Sequence, residues 1–314
     1  MIRVKFTDWW KGFEWKLDPT FHDLLFSNFD VREDNNNPNV VIYSVFWNQG
    51  KCQGSPEADH PRYKNAIKVC YCGESMPDNI VQNILNKGHY LMYAKRIDHP
   101  RYLRISDMER SNFYGCDTSL LDSFAPFVKG NFDLPDIPIK SAFCSFIFAS
   151  RNRYREDFTL KLSQYKRVDC LGKRLNNKKD DSLSGRYLGP SSSGLGPSNV
   201  EVLKPYKFNI CFENKSLRGY TTEKIWWGFL AKTVSLYWGD PDIHQDFNSE
   251  AFLCRNDYGS DEEFIEKIKE LDNDDDAYLS MLHTHAIKDE SILDRQKIIN
   301  FFQKIQDEIL CNND

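Results

Sequence analysis

Short apolar runs recur through the chain, each followed by a stretch long enough for a helix, and this alternation restricts the fold more than any other feature. In the first half, residues 2–6, 40–46 and 67–72 read as strands, with Phe21, Leu24 and Leu25 offering a helical face between the first two. The pattern restarts with a strand at 142–149, a polar helix at 155–164 and a short strand ending in the turn 168–172. Strands at 208–211 and 233–237 then flank a helix at 222–231. Nearly continuous apolar strands spaced by helices pair in parallel, so the sequence predicts an α/β fold with open, largely parallel sheets. A chain of 314 residues is long enough for two such domains, each with its own core.

The proline-punctuated stretch 127–140 marks the division, giving expected domains 1–135 and 136–314. Residues 176–199 are polar, basic and then rich in Ser, Gly and Pro, as in a surface loop or insertion. Near the end, Ile298, Phe302, Ile305 and Ile309 recur at three- and four-residue spacing, predicting an amphipathic helix that closes the second domain.

Charge and cysteine content exclude several functions. Lys and Arg number 41 against 46 Asp and Glu, so no global positive field attracts nucleic acid. The longest apolar stretches, 40–47 and 142–149, fall far short of the ~20 residues of a membrane span. The first residues read as a strand rather than a signal peptide. Nine cysteines, an odd number scattered through apolar runs, fit reduced thiols in the cytoplasm. Cys70 and Cys72 share one strand face but lack a second pair at zinc-ligand spacing. The acidic run 272–276 reads as a solvated helix start, and His283 and His285 lack a third ligand, so no metal site is predicted.

The chemistry is concentrated between Tyr206 and Pro241. A buried strand ends in Glu213 and Asn214, and a loop then delivers Tyr220, Thr221, Thr222, Glu223 and Lys224 at a helix start. Free N–H groups and the helix dipole favour an anion there, a diphosphate above all, and Lys224 adds a full charge. Ordinary capping by Thr221 or Thr222, with Glu223 as a favourable first-turn charge, explains the same residues without a ligand.

The whole string, Phe-Glu-Asn followed by Tyr-x-Thr-Glu-Lys and then Leu236-Tyr237-Trp238-Gly239-Asp240-Pro241, resembles the signature of the α-1,3-fucosyltransferases, glycosyltransferase family 10. Shorter pieces resemble the family in the same order: Asp8-Trp9-Trp10, Cys72-Gly73-Glu74-Ser75-Met76-Pro77, Arg101-Tyr102-Leu103-Arg104, the Val168 to Gly172 turn, and Ala277-Tyr278-Leu279 with Met281-Leu282. The likeness is to compact bacterial members, without the anchor and stem of the animal Golgi enzymes.

The resemblance implies a GT-B type fold, two Rossmann-like domains facing across a cleft, with residues 1–135 binding the acceptor and 136–314 binding GDP-fucose. It implies inverting transfer of L-fucose from GDP-fucose to a GlcNAc hydroxyl of an N-acetyllactosamine-type or related oligosaccharide or glycolipid, in α-1,3 or α-1,4 linkage. Glu74 matches the family's general base, and Glu223 the glutamate that contacts the fucose ring. Lys224 matches the diphosphate lysine, and Asn214 and Tyr220 match donor-site positions. Glu213 either binds a ribose hydroxyl or braces the loop. The second diphosphate cation is Arg174, then Lys173, with Arg186 as a third choice. Arg155 either reaches the donor or braces its helix, and Trp9 and Trp10 either form an acceptor platform or pack between domains. Thr221 and Ser235 stand where the family commonly has Val and Pro, and no basic heptad tail follows. The expected location is cytoplasmic, peripheral at the inner face of the membrane. Two other functions use the same residues: transfer from a different GDP-sugar, and carbohydrate binding without turnover.

Overall fold

The computed structural model describes residues 1–47, 56–105, 140–178 and 199–312. They divide into two compact units, Met1–Asn112 with Ser291–Asp314, and Phe113–Glu290.

The first unit is built on six strands, β1 (Ile2–Thr7), β2 (Val31–Glu33), β3 (Val40–Tyr43), β4 (Ile67–Tyr71), β5 (Tyr90–Tyr93) and β6 (Tyr102–Arg104). Their order is β2-β1-β3-β4-β5-β6, and every pair is parallel. Alternation along the strands separates two buried faces. Val41, Tyr43, Cys70, Cys72 and Leu91 pack with Val81, Ile84 and Leu85 of helix α1 (Asp78–Asn86). Val4, Ile42, Val69 and Met92 pack with Phe21, Leu24 and Leu25. The same face takes Ile298, Phe301, Phe302, Ile305 and Ile309 of the C-terminal helix Gln296–Cys311.

That helix corrects the expected domain division, because it belongs to the first unit. On this face the chain between β1 and β2 supplies two short helical turns, Trp15–Leu17 and Pro19–Phe21, and a π-helix, His22–Phe26, too little to cover the sheet. Each large apolar side chain the C-terminal helix buries there contributes about 1.5–3 kcal/mol.

His89, just before β5, is buried with its Nδ1 2.8 Å from the Tyr43 hydroxyl. Burial pushes its pKa down to about 4, outweighing the attraction of Asp59. The unfolded chain, with an ordinary histidine near 6.5, therefore binds the proton first. The stability gained from a neutral His89 is complete above about pH 6.5 and is lost as the pH falls toward about 4, on the order of 3 kcal/mol. Melting temperature measured against pH should decline across that window in the native protein, and less steeply in His89→Asn.

The second unit holds β7 (Ala142–Phe146), β8 (Val168–Cys170), β9 (Tyr206–Phe212), β10 (Val234–Trp238) and β11 (Leu253–Cys254). They are parallel in the order β11-β10-β9-β7-β8. Among the described residues five α-helices accompany them: α2 (Arg153–Leu162), α3 (Asn199–Leu203), α4 (Glu223–Leu230), α5 (Asp261–Asp272) and α6 (Asp275–His283). Cys144, Phe146, Phe208, Ile210, Phe212, Val234 and Leu236 form one apolar face under Phe158, Phe264, Ile268 and Tyr278. On the other face α4 lies so close that a Cβ at Gly228 would stand 2.0 Å from Ser235 Oγ.

The acidic run 272–276, which begins at the last residue of α5, is not uniformly solvated as its sequence suggests. Asp272 is buried, accepts from the Tyr165 hydroxyl at 3.0 Å, and pairs with Lys166 and with Lys207 at 3.3 Å. Asp274 caps α6 by accepting from the Ala277 N–H at 2.9 Å.

Each sheet has one point where successive strands step to opposite sides. In the first it lies between β1 and β3, and in the second between β7 and β9. Ligands of open α/β sheets bind beyond the carboxyl strand ends at such points.

Candidate active site

The carboxyl end of β9 runs straight into the predicted cluster. Glu213 is fully buried, and its carboxylate accepts from the Thr222 N–H at 2.8 Å and from the Thr222 hydroxyl at 2.7 Å. Thr222 is the N-cap of α4 without capping through its own side chain. Glu213 therefore satisfies an open N–H of the helix start from a neighbouring strand, which neither capping threonine in the sequence reading did. A Cβ on Gly239 would meet Glu213 Cγ at 2.4 Å, so the glycine of the Trp-Gly-Asp-Pro string is what makes room for this carboxylate.

Lys224 Nζ lies 2.7 Å from Thr222 Oγ1, 3.2 Å from Glu213 and 3.2 Å from Glu223. Burial works to lower the lysine's pKa, but the two carboxylates outweigh it and hold Lys224 charged, above its ordinary value. Glu223 is ionised: burial opposes this, and Lys224 overcomes it. For Glu213 burial prevails, and its pKa rises despite the lysine.

Arg155 turns inward. It is 1% exposed, and its guanidinium donates to the Glu213 carbonyl at 3.0 Å and also to the Phe212 carbonyl. It thus braces the end of β9. Asn152 caps α2 by accepting from the Arg155 N–H at 3.1 Å and donates to the Asn214 carbonyl at 2.9 Å. These bonds tie the two strands flanking the switch point.

The loop after Asn214 is fastened by Asp240, which the sequence reading quoted in its motif without giving it a role. Asp240 is buried and accepts from the Gly219 N–H at 2.8 Å, where the backbone takes φ +78°, and from the Thr221 hydroxyl at 3.4 Å. Tyr220, between them, is buried. Its only sequence signal was membership of the long string.

Arg174 donates to Glu156 at 2.8 Å, and Lys173 beside it is exposed. Both follow β8 at a turn so close to β7 that a Cβ on Gly172 would lie 2.1 Å from the Phe148 carbonyl. Arg186 lies outside the described residues. The second unit thus brings Arg155, Lys173, Arg174, Glu213, Asn214, Tyr220, Glu223 and Lys224 to the carboxyl edge of one sheet.

Glu74 and the tryptophans belong to the first unit. Glu74 is exposed in the turn after β4, where its N–H and carbonyl both meet Cys72 Sγ, at 3.3 and 3.1 Å. Trp9 follows β1, stacks on Phe13 at 3.7 Å and donates to the Ile42 carbonyl at 3.3 Å. Its packing partners, Phe6, Phe13, Phe21 and Tyr71, all belong to the same unit. Trp10 is 38% exposed, with its ring edge against Trp9 and Phe46.

An open parallel sheet with cations and carboxylates gathered at its switch point is the architecture of α/β proteins that hold phosphate-bearing ligands. The chain belongs to glycosyltransferase family 10 (fucosyltransferase), whose C-terminal model matches residues 140–306. It is similar to the alpha-(1,3)-fucosyltransferase FucT of Helicobacter pylori, 26% identical over 91% of this chain and 60% of that protein. It also matches the putative fucosyltransferase R654 of Acanthamoeba polyphaga mimivirus, 30% identical over 46% of this chain and 24% of that one. The chain thus spans 60% or less of the length of these curated relatives. A crystal structure of an alpha1,3-fucosyltransferase with GDP-fucose superposes with a TM-score of 0.70 at 24% identity, covering 97% of this chain and 90% of that chain. The expected α/β fold with two parallel sheets, of the GT-B type, is therefore met. Among the described residues no helix is long and apolar enough to cross a membrane.

Proposed function

We propose that the chain transfers L-fucose from GDP-fucose to a GlcNAc hydroxyl of an N-acetyllactosamine-type or related glycan, inverting the anomeric centre and forming an α-1,3 or α-1,4 linkage. The observation that carries this reading is the Glu213, Glu223 and Lys224 cluster at the carboxyl end of β9, inside the segment matched by the family.

In this reading Glu74 takes the proton of the acceptor hydroxyl as its oxygen attacks the anomeric carbon. The bond from that carbon to the diphosphate breaks, and GDP leaves with the negative charge. Lys224 and Arg174 neutralise it, with Lys173 and Arg186 as the other candidate cations. Lys224 has three N–H donors, and Thr222, Glu213 and Glu223 now face them. A diphosphate oxygen takes the place of Glu223 at the lysine, and Glu223 turns to the sugar, where positive charge develops. Asn214 and Tyr220 shape the donor site, while Arg155 and Glu213 position the β9 end. Trp10 offers the exposed ring for an acceptor sugar, with Trp9 as its packed support. Thiols outside any disulfide at Cys70, Cys72, Cys144, Cys170, Cys211, Cys254 and Cys311 support a reducing, cytoplasmic location.

The test is GDP release from GDP-fucose and from GDP-mannose, each with and without N-acetyllactosamine. Acceptor-dependent release from GDP-fucose alone is expected. Equal release from GDP-mannose would transfer the reading to another GDP-sugar, and the absence of GDP binding would refute the donor site.

A further inference from the structure

Among the described residues, one group of three metal-ligating side chains converges. His244 lies in the helical turn Ile243–Gln245 after β10, Cys254 ends β11, and Asp257 closes the turn Arg255–Asp257. One ligand atom from each lies within 4.8 Å of the other two. The group lies in the second unit, and none of its members belongs to the cluster around Lys224. No spacing revealed it, because the residues are ten and three positions apart on separate elements.

We propose that His244, Cys254 and Asp257 form a binding site for a zinc-type divalent cation. The donor set is one sulfur, one imidazole nitrogen and one carboxylate. Sulfur selects against magnesium and calcium and, with imidazole, suits zinc or cobalt. His244 Nε2 lies 2.8 and 2.9 Å from the two Asp257 oxygens, and its Nδ1 is buried with no hydrogen-bond partner among the described residues. A ring whose Nε2 proton goes to the carboxylate carries its lone pair on Nδ1, where nothing receives it. An imidazole that gives one N–H to a carboxylate and its other nitrogen to a cation is the common arrangement around zinc. With the cation on Nδ1, Asp257 fixes the ring from Nε2; with the cation on Nε2, Asp257 is itself a ligand.

Cys254 is 2% exposed, while His244 and Asp257 keep side-chain exposures of 32% and 45%, which leaves an entry path. On binding, the sulfur–metal bond forms as the thiol proton passes to solvent; no redox partner is needed. The cation joins the end of β11 to the turn after β10. Just before that turn Asp240 fastens Gly219, and Asp242 holds Arg218 at 2.8 Å. The site is thus a clasp on the element that fixes the donor loop.

The test is a cobalt(II) titration of the reduced, chelator-treated chain, followed by its thiolate-to-cobalt charge-transfer absorption. One equivalent should produce the band, and zinc should displace it. Cys254→Ser should abolish the band, and Cys311→Ser, at an exposed thiol, should leave it intact. Asp257→Asn, at a side chain 45% exposed, should weaken affinity roughly 10–100-fold. Absence of the band in the native chain, its survival in Cys254→Ser, or unchanged affinity in Asp257→Asn would each overturn the proposal. None of these outcomes depends on catalytic activity.

Discussion

Glu74→Ala is expected to lower kcat for acceptor-dependent transfer by roughly 10²–10⁴, the usual contribution of a positioned general base. KM for GDP-fucose and the melting temperature should stay near their native values. The turn that carries Glu74 is held by backbone groups, through Cys72 Sγ and through the Met76 N–H, which donates to the Tyr93 hydroxyl at 2.8 Å. The exposed carboxylate is not part of that scaffold, so its loss should not disturb the fold. Glu74→Gln, which keeps the shape and removes the basicity, should be as impaired as the alanine variant. A glutamine variant with more than about a tenth of native kcat would assign the base elsewhere.

Lys224→Met should have two effects that a second substitution can separate. Removing the ammonium leaves Glu213 at zero exposure with no countercharge, although Thr222 still donates to it. Breaking a buried pair in this way costs about 3 kcal/mol, the lower end of the usual range because Lys224 keeps 15% side-chain exposure. GDP affinity should also fall, since the cation proposed to face the diphosphate is gone. Adding Glu213→Gln should recover much of the stability, because a neutral amide still accepts from Thr222, but none of the GDP affinity. Denaturant unfolding and calorimetric GDP titration on the native chain and the two variants would show this. A single variant with native stability and native GDP binding would refute both the ion-pair account and the donor assignment.

The fold was largely legible because parallel strands buried on both faces announce themselves as apolar runs. The strand expected at 208–211 appears as Tyr206–Phe212, and the helix expected at 222–231 as Glu223–Leu230. The C-terminal helix was legible as an element but not as to its partner. A stripe of Ile298, Phe302, Ile305 and Ile309 states that a face is buried, and only the bare side of the first sheet decides against what.

The candidate cluster around Lys224 was legible as a set of residue types, because a strand end and a helix start were close in sequence. The inward turn of Arg155 was not, since it depends on carbonyls of Phe212 and Glu213, which are more than fifty positions away. Glu213 as the group that closes the helix start was hidden for a different reason: Thr222 is only nine positions away, but the threonines beside the helix start already accounted for its capping. Trp9 and Trp10 are adjacent in sequence, and only packing distinguishes the supporting ring from the exposed one.

The return of the last helix to the first sheet has a consequence for synthesis. By the time Ile105 is made, all six strands of that sheet exist, but one side still lacks Ile298, Phe301, Phe302, Ile305 and Ile309. About 190 residues must follow before they appear, which at roughly 5–20 residues per second is on the order of 10–40 s. During that interval the nascent sheet presents an uncovered apolar surface to chaperones, and the first unit matures only after the second has been made.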